Sequence, residues 1–155
     1  MIRLTQGDLL KADVEAVVNA VNTQGVMGKG LALQFRERYP DNYQAYRQAC
    51  QAGAVRPGRM LICTRDPSER PRYIINFPTK RHWRNPSRME DIESGLAALV
   101  AEVRCLGIRS VAVPALGCGL GGLPWPGVYE RMRHAFEAAP DVLWLVYGPG
   151  GSWQK

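Results

Sequence analysis

Two glycine-rich stretches, GVMGKG at Gly25–Gly30 and GCGLGG at Gly117–Gly122, are the residues of this chain best suited to holding an anion. Without a Cβ in the way, successive backbone N–H groups can converge on phosphate oxygens. Each stretch follows an apolar run and precedes a helical pattern, so each reads as a strand-to-helix turn. One such cluster is equally consistent with an ordinary loop; two of them could grip two phosphates. Neither fits a familiar nucleotide fingerprint. A Walker A loop needs Lys followed by Ser or Thr, and here Lys29 is followed by Gly30 after too short a spacing. Residues Gly117–Gly122 match G-x-G-x-x-G, but that pattern belongs after the first strand with an acidic residue closing the next, and here it follows the fifth run. A Rossmann dehydrogenase is therefore rejected.

Polar residues gather at the same ends of the apolar runs. Asp8, in GDLL, either accepts a hydrogen bond from the amino group of a base or caps a helix. Asn19 and Asn22 flank the end of VNAVN, where an amide orients a ribose or forms a turn. The loop TKRHWRNPS, Thr79–Ser87, sets Lys80, Arg81, Arg84 and Arg88 around Trp83. Positive charge beside a ring on which an unpaired base stacks is the arrangement of a single-stranded nucleic-acid site, with a solvated loop whose Trp83 covers the core as the alternative. His82 is a second acid–base candidate or an exposed loop histidine.

These residues need a scaffold that brings strand ends together. Short β-branched runs at Ile2–Gln6, Glu15–Ala20, Arg59–Thr64, Arg72–Phe77, Ser110–Pro114 and Val142–Tyr147 alternate with helical stretches, the pattern of a sheet covered on both faces. Helices are predicted from Leu31 to Tyr39 and from Asp41 to Ala52, the latter with Tyr43, Tyr46 and Cys50 on one face. A third opens at Ser87 through the capping box SRME, carries Ile92, Leu96, Leu99, Val100, Val103 and Leu106 inward, and stops at Gly107. A fourth runs from Pro126 to about Ala139. The fold class is thus α/β, three layers α/β/α around a mixed central sheet of about six strands. Residues 1–150 form one domain, and 151–155 read as a tail or the start of a linker to a further C-terminal domain.

Composition narrows the partners. The chain of 155 residues carries a formal charge of +6 and a pI near 9.4, which favours phosphate-bearing ligands. Cys50, Cys63, Cys105 and Cys118 are widely spaced, with no CxxC pair and no histidine pair at ligand spacing, so no metal is expected and the thiols read as reduced. The polar N-terminus is not a signal peptide, and no apolar run approaches the roughly 20 residues of a membrane span. A cytoplasmic monomer with no membrane partner is expected.

GDLL, VNAVN, GVMGKGLALQF and PALGCGLGGLPW, in this order and across nearly the whole chain, resemble the macrodomain family, whose members bind ADP-ribose. The first loop and FPTK look most like the branch that removes terminal ADP-ribose, and within it the macrodomains of DNA ADP-ribosyl glycohydrolase antitoxins. The resemblance implies that Asp8 and Leu9 meet the adenine and that Asn22 with Gly25, Val26, Met27, Gly28, Lys29, Gly30 and Leu31 surrounds the distal ribose. Thr79 lies beside it. Leu116, Gly117, Cys118, Gly119, Leu120 and Gly121 cradle the diphosphate, and Tyr147 flanks the adenine or is simply core. Lys80 matches the branch's catalytic lysine, while Arg81, His82, Trp83 and Arg84 would meet DNA. No cofactor is implied. The implied partners are ADP-ribose, single-stranded DNA ADP-ribosylated on a base such as thymidine, and a cognate toxin whose modification the domain reverses. One departure stands out: relatives carry an aspartate after GCGL where this chain has Gly121. That favours Lys80 as an electrostatic or proton-donating group over a covalent nucleophile, and it leaves two alternatives, a non-catalytic ADP-ribose-binding module and a hydrolase of protein-linked ADP-ribose.

Overall fold

The computed structural model describes residues 1–149, so the expected tail or linker, 151–155, lies outside the described residues. Six strands, β1 (Ile2–Thr5), β2 (Ala16–Asn22), β3 (Leu61–Thr64), β4 (Tyr73–Lys80), β5 (Ser110–Val113) and β6 (Leu143–Tyr147), form one sheet. Its order is β1-β6-β5-β2-β4-β3. Every neighbouring pair is parallel except β3 with β4, so the sheet is mixed as expected.

Four helices cover it: α1 (Gly30–Arg38), α2 (Pro40–Gln51), α3 (Met89–Cys105) and α4 (Trp125–Phe136). Adjacent residues of β4 prove that the helices lie on opposite faces. Asn76 exchanges hydrogen bonds with Asn42 of α2 at 2.8 and 3.2 Å, whereas the Phe77 ring lies directly beneath Gly95 of α3. Successive strand side chains point to opposite faces, so α2 and α3 sandwich the sheet. A side chain at Gly95 would run into that ring, which is why the most apolar helix carries a glycine at its middle. Strands β2 and β4 are buried on both faces over nearly their whole length, as the inner strands of a parallel sheet must be.

Several boundaries differ from the sequence reading, among them β2, which runs on to Asn22 instead of ending at Ala20, and β3, which starts at Leu61 instead of Arg59. β4 runs through Pro78 to Lys80, because β3 has already ended at its pairing with Asn76 and the imide nitrogen faces no strand. α3 begins at Met89 with Arg88 as its cap residue and no side-chain cap; Ser87, expected as the cap, is drawn instead under the second glycine turn. Leu106 is past the helix end and 39% exposed, off the apolar stripe. α4 ends at Phe136, where the chain enters turns.

Candidate active site

Strand order puts the candidate residues in a row. In a parallel sheet all carboxyl ends share one edge, where ligands of α/β folds bind. Along that edge come Asp8 after β1, Tyr147 ending β6, the turn Leu116–Gly122 after β5, the turn Thr23–Lys29 after β2, and Thr79–Lys80 ending β4. Four strand spacings, about 19 Å, separate the first from the last. The two glycine turns, far apart in sequence, follow adjacent strands and so stand side by side.

The first turn is held from behind. Asn22 Oδ1 accepts from the amides of Gln24 (2.9 Å) and Val26 (3.4 Å), and its Nδ2 donates to Val26 O at 2.8 Å. Tyr46 of α2, fully buried, donates to Asn22 O or Oδ1 at 2.7 and 2.8 Å. The turn-forming reading of Asn22 is thus what the geometry displays: the side chain faces into the loop and shapes it. Thr23 and Gln24 also donate to Arg81 O, tying this turn to the basic loop. Beyond it α1 starts with no side-chain cap, and its first amides have no intrahelical partner.

The second turn is a 3₁₀ turn, Gly119–Gly121, with Gly117 (φ +74°) and Gly119 (φ +61°) in the left-handed region. Gly121 N donates to Cys118 O and Gly122 N to Gly119 O. Among the described residues, Gly119 and Leu120 N–H have no protein acceptor, which leaves them to face an anion. Burial pushes the Cys118 thiol up to about 11, so it is a packing group rather than a nucleophile.

Lys80 occupies the last position of a strand that bulges. Val21 pairs with Pro78 but Asn22 pairs with Lys80, so Thr79 is the extra residue that re-aims the lysine. Thr79 itself is buried, its hydroxyl 3.5 Å from Val21 O. Partial burial, and after it the charge of Lys29, lowers the Lys80 pKa; Nζ donates weakly to Trp83 O at 3.4 Å. Two ammonium groups converging beside a helix start form a strongly anion-seeking corner. At the other end of the row, Asp8 caps the 3₁₀ turn Leu9–Lys11 by accepting from Leu10 N at 3.0 Å. Its charge, after burial, raises the Tyr147 pKa, so the two groups are neighbours.

Several expected residues take other positions. Asn19 is three residues short of the strand end, wholly buried, and donates to Asn76 Oδ1 at 3.3 Å; it belongs to the sheet interior, not to a ribose. The side chains of Leu9, Met27, Leu31 and Leu116 are buried, leaving only their backbones for a ligand. Arg81 is a fork to Asp91 of α3, with two hydrogen bonds of 3.2 Å, and anchors the basic loop rather than offering a free guanidinium. Trp83 is 42% exposed, with His82 stacked at 5.5 Å and Arg84 over the ring at 4.5 Å. His82 Nδ1 accepts from Arg84 N. Sequence reading does not assign Tyr46 or Ser87 to the site, since only tertiary packing brings them to the loops. Among the described residues no three His, Cys, Asp or Glu side chains gather as a metal site.

A mixed six-stranded sheet whose two glycine turns open side by side at the carboxyl edge defines a three-layer α/β domain with its candidate site at that edge. The Macro domain profile matches residues 18–132, and the chain belongs to the macro domain family. It is 56% identical over 96% of its length to the DNA ADP-ribosyl glycohydrolase of Thermus aquaticus and 51% identical over 97% to that of Mycobacterium tuberculosis. It spans about two fifths of those relatives, covering 41% and 43% of them. Solved macrodomains of Thermus aquaticus DarG and Mycobacterium tuberculosis DarG superpose with TM-scores of 0.93 and 0.95, covering 96% and 97% of this chain and 99% of each. Thermosipho africanus DarTG in complex with ADP-ribose matches at 35% identity and a TM-score of 0.88, over 96% of this chain and 42% of that one.

Proposed function

We propose that this domain is a DNA ADP-ribosyl glycohydrolase, releasing ADP-ribose from a modified base, thymidine in our reading, in single-stranded DNA. In this role it reverses the modification made by a DNA ADP-ribosyltransferase toxin. The Thermus aquaticus and Mycobacterium tuberculosis relatives, which match it over 96% and 97% of its length, carry that name, and the similar Thermosipho africanus DarTG structure is a complex with ADP-ribose. The observation that carries the reading is the row along the sheet edge. A dinucleotide-like ligand laid there has its base between Asp8 and Tyr147, its diphosphate on the amides of Gly119 and Leu120 and the start of α1, and its distal sugar at Lys80.

The chemistry follows from Lys80 and from what stands near it. Hydrolysis breaks the bond between the anomeric carbon and a base nitrogen, forms a bond from that carbon to water oxygen, and returns a proton to the base. A lysine whose pKa is lowered by burial and by Lys29 is a stronger acid than a free one, so it donates that proton more readily. Once it has given up that proton Lys80 is neutral and no longer opposes the oxocarbenium-like carbon that water attacks, with the substrate's own phosphate or hydroxyl orienting that water. Turn Gly117–Gly122 supplies no carboxylate, since position 121 is glycine. That same glycine favours the second reading, a module that binds ADP-ribose without cleaving it.

Incubation with an ADP-ribosylated thymidine oligonucleotide, alongside Lys80→Ala, separates the two. Release of unmodified DNA by wild type and not by the variant upholds the glycohydrolase. Tight binding without turnover by either protein replaces it with the binding module, and turnover only of ADP-ribosylated protein moves the substrate.

A further inference from the structure

The basic loop after β4 is only one flank of the first glycine turn. On the other flank lies α2: a Cβ placed on Gly25 would stand 3.6 Å from Cys50 Cβ and 3.9 Å from Arg47 Cα. Tyr43, one helical turn before Arg47, is flanked by two guanidinium groups, that of Arg36 from α1 at 4.5 Å from its ring centre and that of Arg47 at 5.7 Å. Neither Arg36 nor Arg47 forms an ion pair among the described residues, whereas Arg65, Arg70, Arg81, Arg131 and Arg133 all do.

A comparable cluster shows what a self-satisfied arrangement looks like. Arg38 and Arg65 flank Tyr39, but Arg65 pairs with Glu69 at 3.7 Å, and Asp41, Asp66 and Glu69 line the same hollow. Its charge is neutralised locally. Around Tyr43 the ring holds two arginines extended without a carboxylate in an ion pair with either, so little side-chain entropy remains to be lost when a phosphate arrives.

We infer that the Arg36–Tyr43–Arg47 cluster on α1 and α2 is a second phosphate-binding surface for single-stranded DNA, receiving the arm of the strand opposite to the one over Trp83 and Arg84. The cluster and the basic loop meet the first turn from either side, at Gly25 and through the Thr23 and Gln24 bonds to Arg81. A nucleotide lodged at Lys80 therefore sends one flank of its strand over each. The inference rests on the DNA reading of the function above.

The test compares wild type with Arg36→Ala/Arg47→Ala on an ADP-ribosylated oligonucleotide, on ADP-ribosylated thymidine alone, and in fluorescence titrations of an unmodified single strand at several salt concentrations. The expected result is a loss of roughly tenfold in kcat/KM, carried by KM, on the oligonucleotide and no change on the nucleoside. The slope of log affinity against log salt falls by about 0.7 for each phosphate that the variant no longer neutralises. Equal losses on both substrates, or unchanged values on both, overturn the surface. If wild type leaves the oligonucleotide uncleaved, the glycohydrolase reading falls, yet the unmodified strand still decides: a reduced salt slope in the variant upholds the surface and an unchanged slope refutes it.

Discussion

Ser87 Oγ sits beneath Gly121, 2.5 Å from the point where a Cβ on that glycine would stand. Its own N–H donates to Gly121 O at 2.9 Å, and among the described residues the buried hydroxyl has no hydrogen-bond partner. Lys80 Cε lies 3.9 Å from the same point. Position 121 therefore faces the lysine and is closed to any side chain by the serine. A glycine at position 121 and the buried serine are one packing solution, since the Ser87 side chain fills the space that a carboxylate at position 121 would need.

Gly121→Asp is accordingly expected to destabilise the fold by about 1–3 kcal/mol, the usual cost of forcing atoms into filled space, and to weaken ADP-ribose binding. Adding Ser87→Gly removes both Oγ and the Cβ at 3.1 Å. The double variant should regain most of the lost melting temperature and bind ADP-ribose better than Gly121→Asp alone, as read by thermal unfolding and calorimetry. A double variant no better than the single one would show that Ser87 is not the obstacle.

Tyr46→Phe tests the support behind the first turn. It keeps the ring in its apolar cluster and removes only the donor to Asn22 O and Oδ1. The expected loss of stability is about 0.5–1.5 kcal/mol, the net worth of one hydrogen bond. ADP-ribose affinity should fall several-fold besides, because the loop that Asn22 shapes is no longer fixed from behind. Chemical denaturation and calorimetry measure the two effects separately.

The difference between Asn22 and Tyr46 illustrates what is readable in the chain. Alternating runs and helical patterns give all six strands and four helices, and the glycine spacing gives both turns, since these depend on local propensity and period. The same pattern gives no register. It therefore puts Asn19 in the site, although β2 runs three residues further, and it ends β4 before Thr79 and Lys80, the residues its bulge delivers. Arg81 reads as one more cation in a basic loop until α3 brings Asp91 against it. Ser87 matches a capping box by residue type, and only the approach of a turn some thirty residues later draws it away from the helix.

The pH dependence of kcat/KM, which reports the free enzyme, shows the state in which Lys80 works. As a proton donor it must be charged, and burial together with Lys29 places its pKa below the ordinary 10.5. Activity should be greatest below that lowered pKa and fall as the pH rises through it. Lys29→Met removes the neighbouring charge, so the alkaline limb should move to higher pH. The sign for stability is opposite. Between the folded pKa and 10.5 the unfolded chain binds more protons, so stability rises across that window. Lys80→Met, which deletes the disfavoured charge, should melt no lower than wild type at neutral pH while losing turnover. A melting temperature clearly below wild type would mean the lysine stabilises the fold instead.

Gly28 and Gly117 separate a glycine kept for a ligand from one kept for the fold. At Gly28 a Cβ would meet only Val26 Cγ1, at an ordinary 3.5 Å, and the residue is exposed. Gly117 has φ +74°, and a Cβ there would lie 2.7 Å from Leu123 Cδ1, 3.1 Å from Ile92 Cδ1 and 3.2 Å from Ser87 Cβ. Gly117→Ala is therefore expected to cost about 2 kcal/mol or more, from left-handed strain added to overpacking. Gly28→Val should unfold within about 0.5 kcal/mol of wild type, as surface changes do. It should nonetheless bind ADP-ribose at least tenfold more weakly, because its side chain projects into the space above the turn. Unfolding curves paired with calorimetry on the two variants check both halves. Full affinity in Gly28→Val would remove this turn from the site, whatever the result at Gly117.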